Sequence, residues 1–160
     1  MGKSLLISRP VCLTMVMSAS EPFPKECMGC VCMDRGCSRI VSAFPYQYAK
    51  RYNQGVTSCS ANDFDRMLMK GPVRKLGDYH SHTFFGGEKA YDLEPSPTDL
   101  DMPVGGMEAI VSIRRTNRMA FSIRSSGGRI YGAWRNFRFR IAVFRKTRES
   151  YDKVALRLRG

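Results

Sequence analysis

The two histidines of this chain stand two positions apart, in Tyr79-His80-Ser81-His82. That spacing narrows what the surrounding segment can become. In an extended strand, residues i and i+2 project from the same face, so a strand over Lys75 to His82 would hold both imidazoles on one side. Downstream, Pro95-Ser96-Pro97-Thr98-Asp99 offers a carboxylate. Two imidazoles and the carboxylate of Asp99 make a three-ligand set with one position left open. Such a set suits a catalytic zinc ion, because structural zinc is usually closed by four protein ligands. Each part also has a plainer account. Ser96-Pro97-Thr98-Asp99 reads as a helix capping box, with serine at the N-cap, proline at N1 and an acid at N3. A histidine pair on a strand can be ordinary packing, and Glu26 can be a solvated strand end.

The other residue types that bind metal are the six cysteines, four of them crowded between Cys27 and Cys37. They lie in an apolar run with Met28, Val31 and Met33. This run reads as a buried strand in which cysteine serves as a small hydrophobe. No second Cys-x-x-Cys pair completes a zinc finger. A disulfide scaffold would be shorter and would spread its cysteines over loops.

A chain of 160 residues is long enough for one domain with a real core. Its net charge of +12 is lopsided. Residues 1–110 hold 12 basic and 12 acidic groups, whereas residues 111–160 hold 14 and 2. We therefore expect a single domain over residues 1–160 with a strongly basic C-terminal third. Such a surface commonly meets nucleic acid or an acidic partner. Arginines interleaved with aromatics from Arg129 to Arg145 are of the kind that stacks on bases, and a hairpin with a solvated basic face is the plainer alternative. The apolar run from Val11 to Met17 is too short for a membrane span and weak as a secretory core. Leu6 stands where a myristoylation signal needs serine or threonine. A cytoplasmic setting without membrane contact is expected.

Along the chain, Leu5 to Ser8 reads as a first strand, and Ser8 with Pro10 as the start of a helix reaching Ser20. The cysteine strand from Glu26 pairs with a strand over Ser38 to Tyr46. A helix follows from Asn62 to Gly71, then the histidine strand, and then a charged loop over residues 83–95 carrying Glu88, Asp92 and Glu94. Next come a short helix from Ser96, strands over Glu108 to Arg115 and Met119 to Arg124, and a turn at Gly127-Gly128. Strands over Arg129 to Ala133 and Arg138 to Arg145 complete the pattern. This predicts a mixed α/β (α+β) domain.

Pro24-Lys25-Glu26-Cys27-Met28-Gly29, His80-Ser81-His82 and Ser96-Pro97-Thr98-Asp99 together resemble the signature of the JAMM (MPN+) zinc metallopeptidases, over about residues 5 to 115. The resemblance implies an MPN-type central twisted mixed sheet flanked by helices, related to the cytidine deaminases. It implies one catalytic Zn2+ held by His80, His82 and Asp99, with Glu26 as general acid/base and Ser96 stabilising the oxyanion. It also implies hydrolysis of the bond after the C-terminal glycine of ubiquitin or a ubiquitin-like protein. The chain departs from the family pattern at Thr83, where proline is usual, and in a longer interval from Thr83 to Pro95. Loop extension of this kind costs little. The stretch Leu156-Arg157-Leu158-Arg159-Gly160 resembles a ubiquitin tail one glycine short, which suggests a segment able to occupy a cleft as a product mimic; a basic end with alternating leucines is the plainer reading. The competing reading is a binding module whose basic third docks on nucleic acid or an acidic protein; a third is a zinc hydrolase acting on other peptides.

Overall fold

The structure is a computed structural model that describes residues 4–36, 39–46, 50–52, 55–57, 73–84, 94–96, 99 and 101–160. Strand β1 (Leu5–Ile7) leads into helix α1 (Arg9–Ser20). Ser8 is its N-cap in extended conformation, its side chain accepting from the Val11 amide, with Pro10 in the first turn where no amide is needed. Strands β2 (Met28–Asp34) and β3 (Arg39–Pro45) pair antiparallel, as the sequence predicts. Strands β4 (Lys50–Tyr52) and β5 (Gly55–Thr57) make a separate two-stranded ribbon. The expected helix over residues 62–71, and Glu88 and Asp92 of the charged loop, lie outside the described residues. Strand β6 (Val73–Phe84) carries the histidines.

The expectation of a mixed α/β sheet flanked by helices, MPN-type and deaminase-like, is overturned. The described residues lie mostly in strands, and α1 is the one helix among them. The reason lies in the second half of the chain. Segments that read as four separate strands form two long ones, β7 (Met107–Ser126) and β8 (Arg129–Lys146). The break expected at Thr116 to Met119 is a register irregularity that bends the ribbon without ending it. Arg135, with φ 54°, sits at the same bend. Gly127 and Gly128, with φ of 57° and 73°, supply the left-handed pair that a two-residue hairpin turn requires. Of the helix expected from Ser96, the described residues form a turn, with the Asp99 amide donating to the Ser96 carbonyl at 3.0 Å.

Two further strands were not anticipated, β9 (Tyr151–Val154) and β10 (Leu156–Leu158). The main sheet runs β10-β1-β3-β2-β6-β7-β8-β9, so its two edge strands are consecutive in the chain, with Ala155 alone between them. The sheet must therefore curl back on itself. The turn of the β7–β8 ribbon meets the other edge, where the Leu156 amide donates to the Gly128 carbonyl at 3.0 Å. The result is a nearly closed, barrel-like sheet wrapped around α1. Val11, Met15, Val16 and Ala19 of the helix are buried with Val31, Tyr79, Val111, Ile113, Phe139 and Ile141 of the sheet. At roughly 1.5–3 kcal/mol per large aliphatic side chain, that inner face dominates the stability of the fold.

The C-terminal stretch is part of this construction. Leu156 to Leu158 pairs in parallel with β1, the Arg159 amide donates to the Ile7 carbonyl at 2.9 Å, and Leu156 is fully buried. A segment locked in this way does not lie in a cleft as a product mimic. The basic third as a whole supplies half of the main sheet.

Candidate metal centre

On β6 the strand period works as expected. Tyr79 and Ser81 face the core, and His80 and His82 face the opposite side. The inward residues fix the strand. The Tyr79 hydroxyl hydrogen bonds Ser18 of α1 at 2.8 Å. The Ser81 amide donates to the Cys27 carbonyl at 3.0 Å, and the Ser81 hydroxyl accepts from the Cys27 amide at 2.8 Å. Met28 is already registered opposite His80 in the antiparallel β2–β6 pair. The Cys27–Ser81 bonds extend that register, so Glu26 comes to lie beside His82. Glu26 is buried, and both histidines and Asp99 act on its charge.

Asp99 arrives from the turn. Its carboxylate accepts from the Ser96 amide at 2.6 Å, and the Ser96 hydroxyl accepts from the Asp99 amide at 3.3 Å. This is the reciprocal exchange of a capping box, and it leaves the carboxylate within reach of both histidines. The carboxylate so held lies 3.2 Å from His80 Nε2 and 3.4 Å from His82 Nε2. The two Nε2 atoms are 2.8 Å apart. Zinc–nitrogen bonds of about 2.05 Å at tetrahedral angles place neighbouring donors about 3.3 Å apart. The donor atoms, all within 4.8 Å of one another, are close enough to share one ion, although the two Nε2 atoms stand closer than a tetrahedral ion would hold them. Imidazole and carboxylate together suit zinc.

One residue with a direct place in this site carries no signature in the sequence motif. Glu108 of β7 is buried, and its Oε1 lies 2.6 Å from His80 Nδ1. A carboxylate behind a ligating histidine fixes its tautomer and turns Nε2 toward the metal. The available signal was an acid at the head of the apolar run Ala109 to Ile113. Only the parallel β6–β7 pairing, with His80 opposite Ile110, brings it under the ring.

The electrostatics follow from this enclosure. Burial pulls the His80 pKa down. Hydrogen bonds to Asp99 and Glu108, with their charges, more than offset that and lift it to about 10. Burial likewise works to raise the Asp99 pKa, but its bonds to His80 and His82 prevail and hold the carboxyl below its usual range. Glu26 is pushed up by burial, against the pull of His82 and His80. Glu108 is pushed up by burial, against its bond to His80. The two carboxylates thus favour the protonated ring of His80, and a metal bound at Nε2 would displace that proton.

Among the described residues no cysteine joins this group. Cys12, Cys27, Cys30 and Cys32 are buried thiols with no disulfide among them. Burial pushes the Cys12 thiol up to about 12, while the Cys32 hydrogen bond and then burial push Cys30 up. Burial of this kind disfavours the thiolate, the form that attacks and binds metal. Among the described residues, His80, His82 and Asp99 form the one group of three or more metal-ligating side chains. Glu94 of the charged loop is exposed, accepts from the Tyr151 hydroxyl and lies 3.8 Å from Arg129.

No family model matches the chain, and no curated protein does. Among solved structures it is similar to that of protein DSY2949 from Desulfitobacterium hafniense, with a TM-score of 0.64 and 14% identity, over 97% of this chain and 92% of that one. It is also similar to that of a protein from Salinibacter ruber, with a TM-score of 0.57, 14% identity and the same coverage. At this identity the likeness is one of fold. No helix among the described residues is long and apolar enough to cross a membrane.

Proposed function

We propose that this protein is a zinc-dependent peptidase of JAMM-like chemistry, hydrolysing the peptide or isopeptide bond after the C-terminal glycine of a ubiquitin-like protein. The observation that carries the reading is the convergence of one donor atom each from His80, His82 and Asp99, all within 4.8 Å of one another, beside a buried Glu26. The support is local to these side chains and owes nothing to the arrangement of layers.

His80, His82 and Asp99 would hold the ion, and Glu108 would keep His80 in its ligating orientation. Zinc, when bound, supplies Lewis acidity and brings the pKa of a coordinated water to about 7. Glu26 takes the proton of the attacking water and delivers it to the departing amine. Its upward-shifted pKa brings it nearer the neutral range in which a proton carrier works in both directions. The Ser96 hydroxyl, half-buried beside Asp99, donates to the developing oxyanion; such a donor is worth roughly 3–4 kcal/mol. The reading also assigns a cytoplasmic setting, in keeping with buried thiols at Cys12 and Cys30.

The test is zinc analysis of the purified protein joined to cleavage of a panel of ubiquitin-like fusions. One equivalent of zinc and chelator-sensitive cleavage are expected, with Glu26→Gln losing activity by about a thousandfold or more while retaining the ion. A protein without stoichiometric zinc, or a Glu26→Gln variant as fast as wild type, refutes the reading.

A further inference from the structure

The face that carries His80 and His82 continues across the sheet into a cleft lined by cations. Register places His82 opposite Ser112 and Ser112 opposite Arg140; one row on, Phe84 lies opposite Arg114 and Arg114 opposite Arg138. These residues alternate with the buried Val111, Ile113, Phe139 and Ile141, so they share the histidine face. Beyond them the ribbon bends at the Arg115/Ala120 irregularity, and Arg124 and Tyr131 turn toward Arg138 and Arg140. Two adjoining hollows, of about 240 and 390 Å³, open in the crook of that bend. Arg114, Arg124, Arg138 and Arg140 line the first; Arg129, Arg140 and Lys153 line the second. No acidic side chain is among their lining residues, although Glu94 stands 3.8 Å from Arg129. The Nε of Arg129 is buried there with no hydrogen-bond partner.

We propose that this cleft is a subsite for an acidic segment of the polypeptide substrate, seated beside the bond presented to the metal centre. The proposal rests on the peptidase reading above and narrows its substrate class. Two strand spacings separate Arg140 from His82, roughly 10 Å, which an extended chain covers in about three residues. On β8, Arg138 and Arg140 repeat at the i, i+2 period. Acidic side chains that alternate along an extended peptide repeat at the same interval of roughly 7 Å. Cations gathered in a concave, partly apolar wall reinforce one another's field and draw in a polyanion. The same field opposes an arginine-bearing tail of the Leu-Arg-Leu-Arg type, so the selected modifier has an acidic segment near its cleaved end.

Nucleic acid is the less favoured occupant, because single strands bind on open aromatic platforms. The aromatic side chains here are mostly covered by neighbours, Phe121 at 65% exposure being the exception. Arg124 covers Tyr131 at 5.1 Å, Trp134 packs on Phe121 at 5.5 Å with Arg135 over its ring, and Arg115 sits over both Phe23 and Phe137.

The test uses the full chain and a fluorescein-labelled hexaglutamate peptide, with binding read by anisotropy at low and high salt. Wild type and Glu26→Gln should bind alike. Arg124→Glu and Arg140→Glu should each weaken binding by about tenfold, with zinc content and melting temperature unchanged. Arg124→Gln and Arg140→Gln should give a smaller loss, which separates charge from damage to the fold. Binding that is indifferent to these changes overturns the proposal, as does tighter binding of a single-stranded oligonucleotide of equal charge. Peptide binding in a protein that holds no zinc would sink the peptidase reading and leave the acidic subsite standing. Cleavage unaffected by the charge reversals would do the opposite.

Discussion

Replacing Glu108 by glutamine keeps the shape of the side chain and removes the charge behind His80. In the structure the carboxylate lies 2.6 Å from Nδ1, with about a tenth of the side chain exposed. At that distance two unit charges attract by about 6 kcal/mol for an effective dielectric constant of about 20. Desolvation of Glu108, visible in its raised pKa, offsets much of this. Supporting carboxylates of this kind are typically worth 10–100-fold in metal affinity, or about 1.4–2.8 kcal/mol. Glu108→Gln should therefore bind zinc 10–100-fold more weakly in a chelator-competition titration, and Glu108→Ala more weakly still. His80→Ala, which removes a ligand outright, should exceed both. The melting temperature of the chelator-treated variant separates loss of the site from loss of the fold. A Glu108→Gln protein that is folded and binds zinc within twofold of wild type would show that His80 does not depend on Glu108, and the reasoning would fail.

Two further outcomes are expected. In chelator, the folded-state pKa of His80 is raised from 6.5 to about 10, so its stabilising contribution is fully present below about pH 6.5 and is lost as pH rises through 10. Glu26 and Glu108, raised by burial, act in the same direction above the usual carboxylate range. Zinc reverses the sign, because binding displaces the His80 proton, so its stabilisation grows with pH. Melting curves from pH 6 to 9.5 should diverge with and without zinc, and parallel curves would contradict the assignment. Leu156→Ala should cost about 2–5 kcal/mol, because the side chain is fully buried between β1 and the ribbon turn. At roughly 3 °C per kcal/mol the melting point falls by about 6–15 °C; an unchanged melt would mean that β10 is not part of the sheet.

Much of the local structure was legible along the chain. The serine and proline at 8 and 10 start α1, and the Gly127-Gly128 pair makes the hairpin turn. Both act through their own backbone angles. His80 and His82 share a face because a strand has period two, and Ser96 and Asp99 exchange hydrogen bonds because they are three residues apart. These are short-range consequences of covalent geometry, and they survive whatever is packed around them.

What joins these parts was decided only by the tertiary structure. Nothing near residue 99 specifies that its carboxylate meets two imidazoles, and nothing near residue 108 marks it as the group behind His80. Thr116 to Met119 looks like the end of a strand. Set between the pairs Arg115–Phe137 and Ala120–Arg135 it becomes a bend, and the bend creates the basic cleft. The layered α/β expectation failed for the same reason. Local patterns name strands, but the length over which two strands stay paired, and whether a sheet curls until its edges meet, depend on contacts between residues far apart in sequence. The chemistry of the site was thus present in the residue types, while strand order and curvature determined which of those residues could act together.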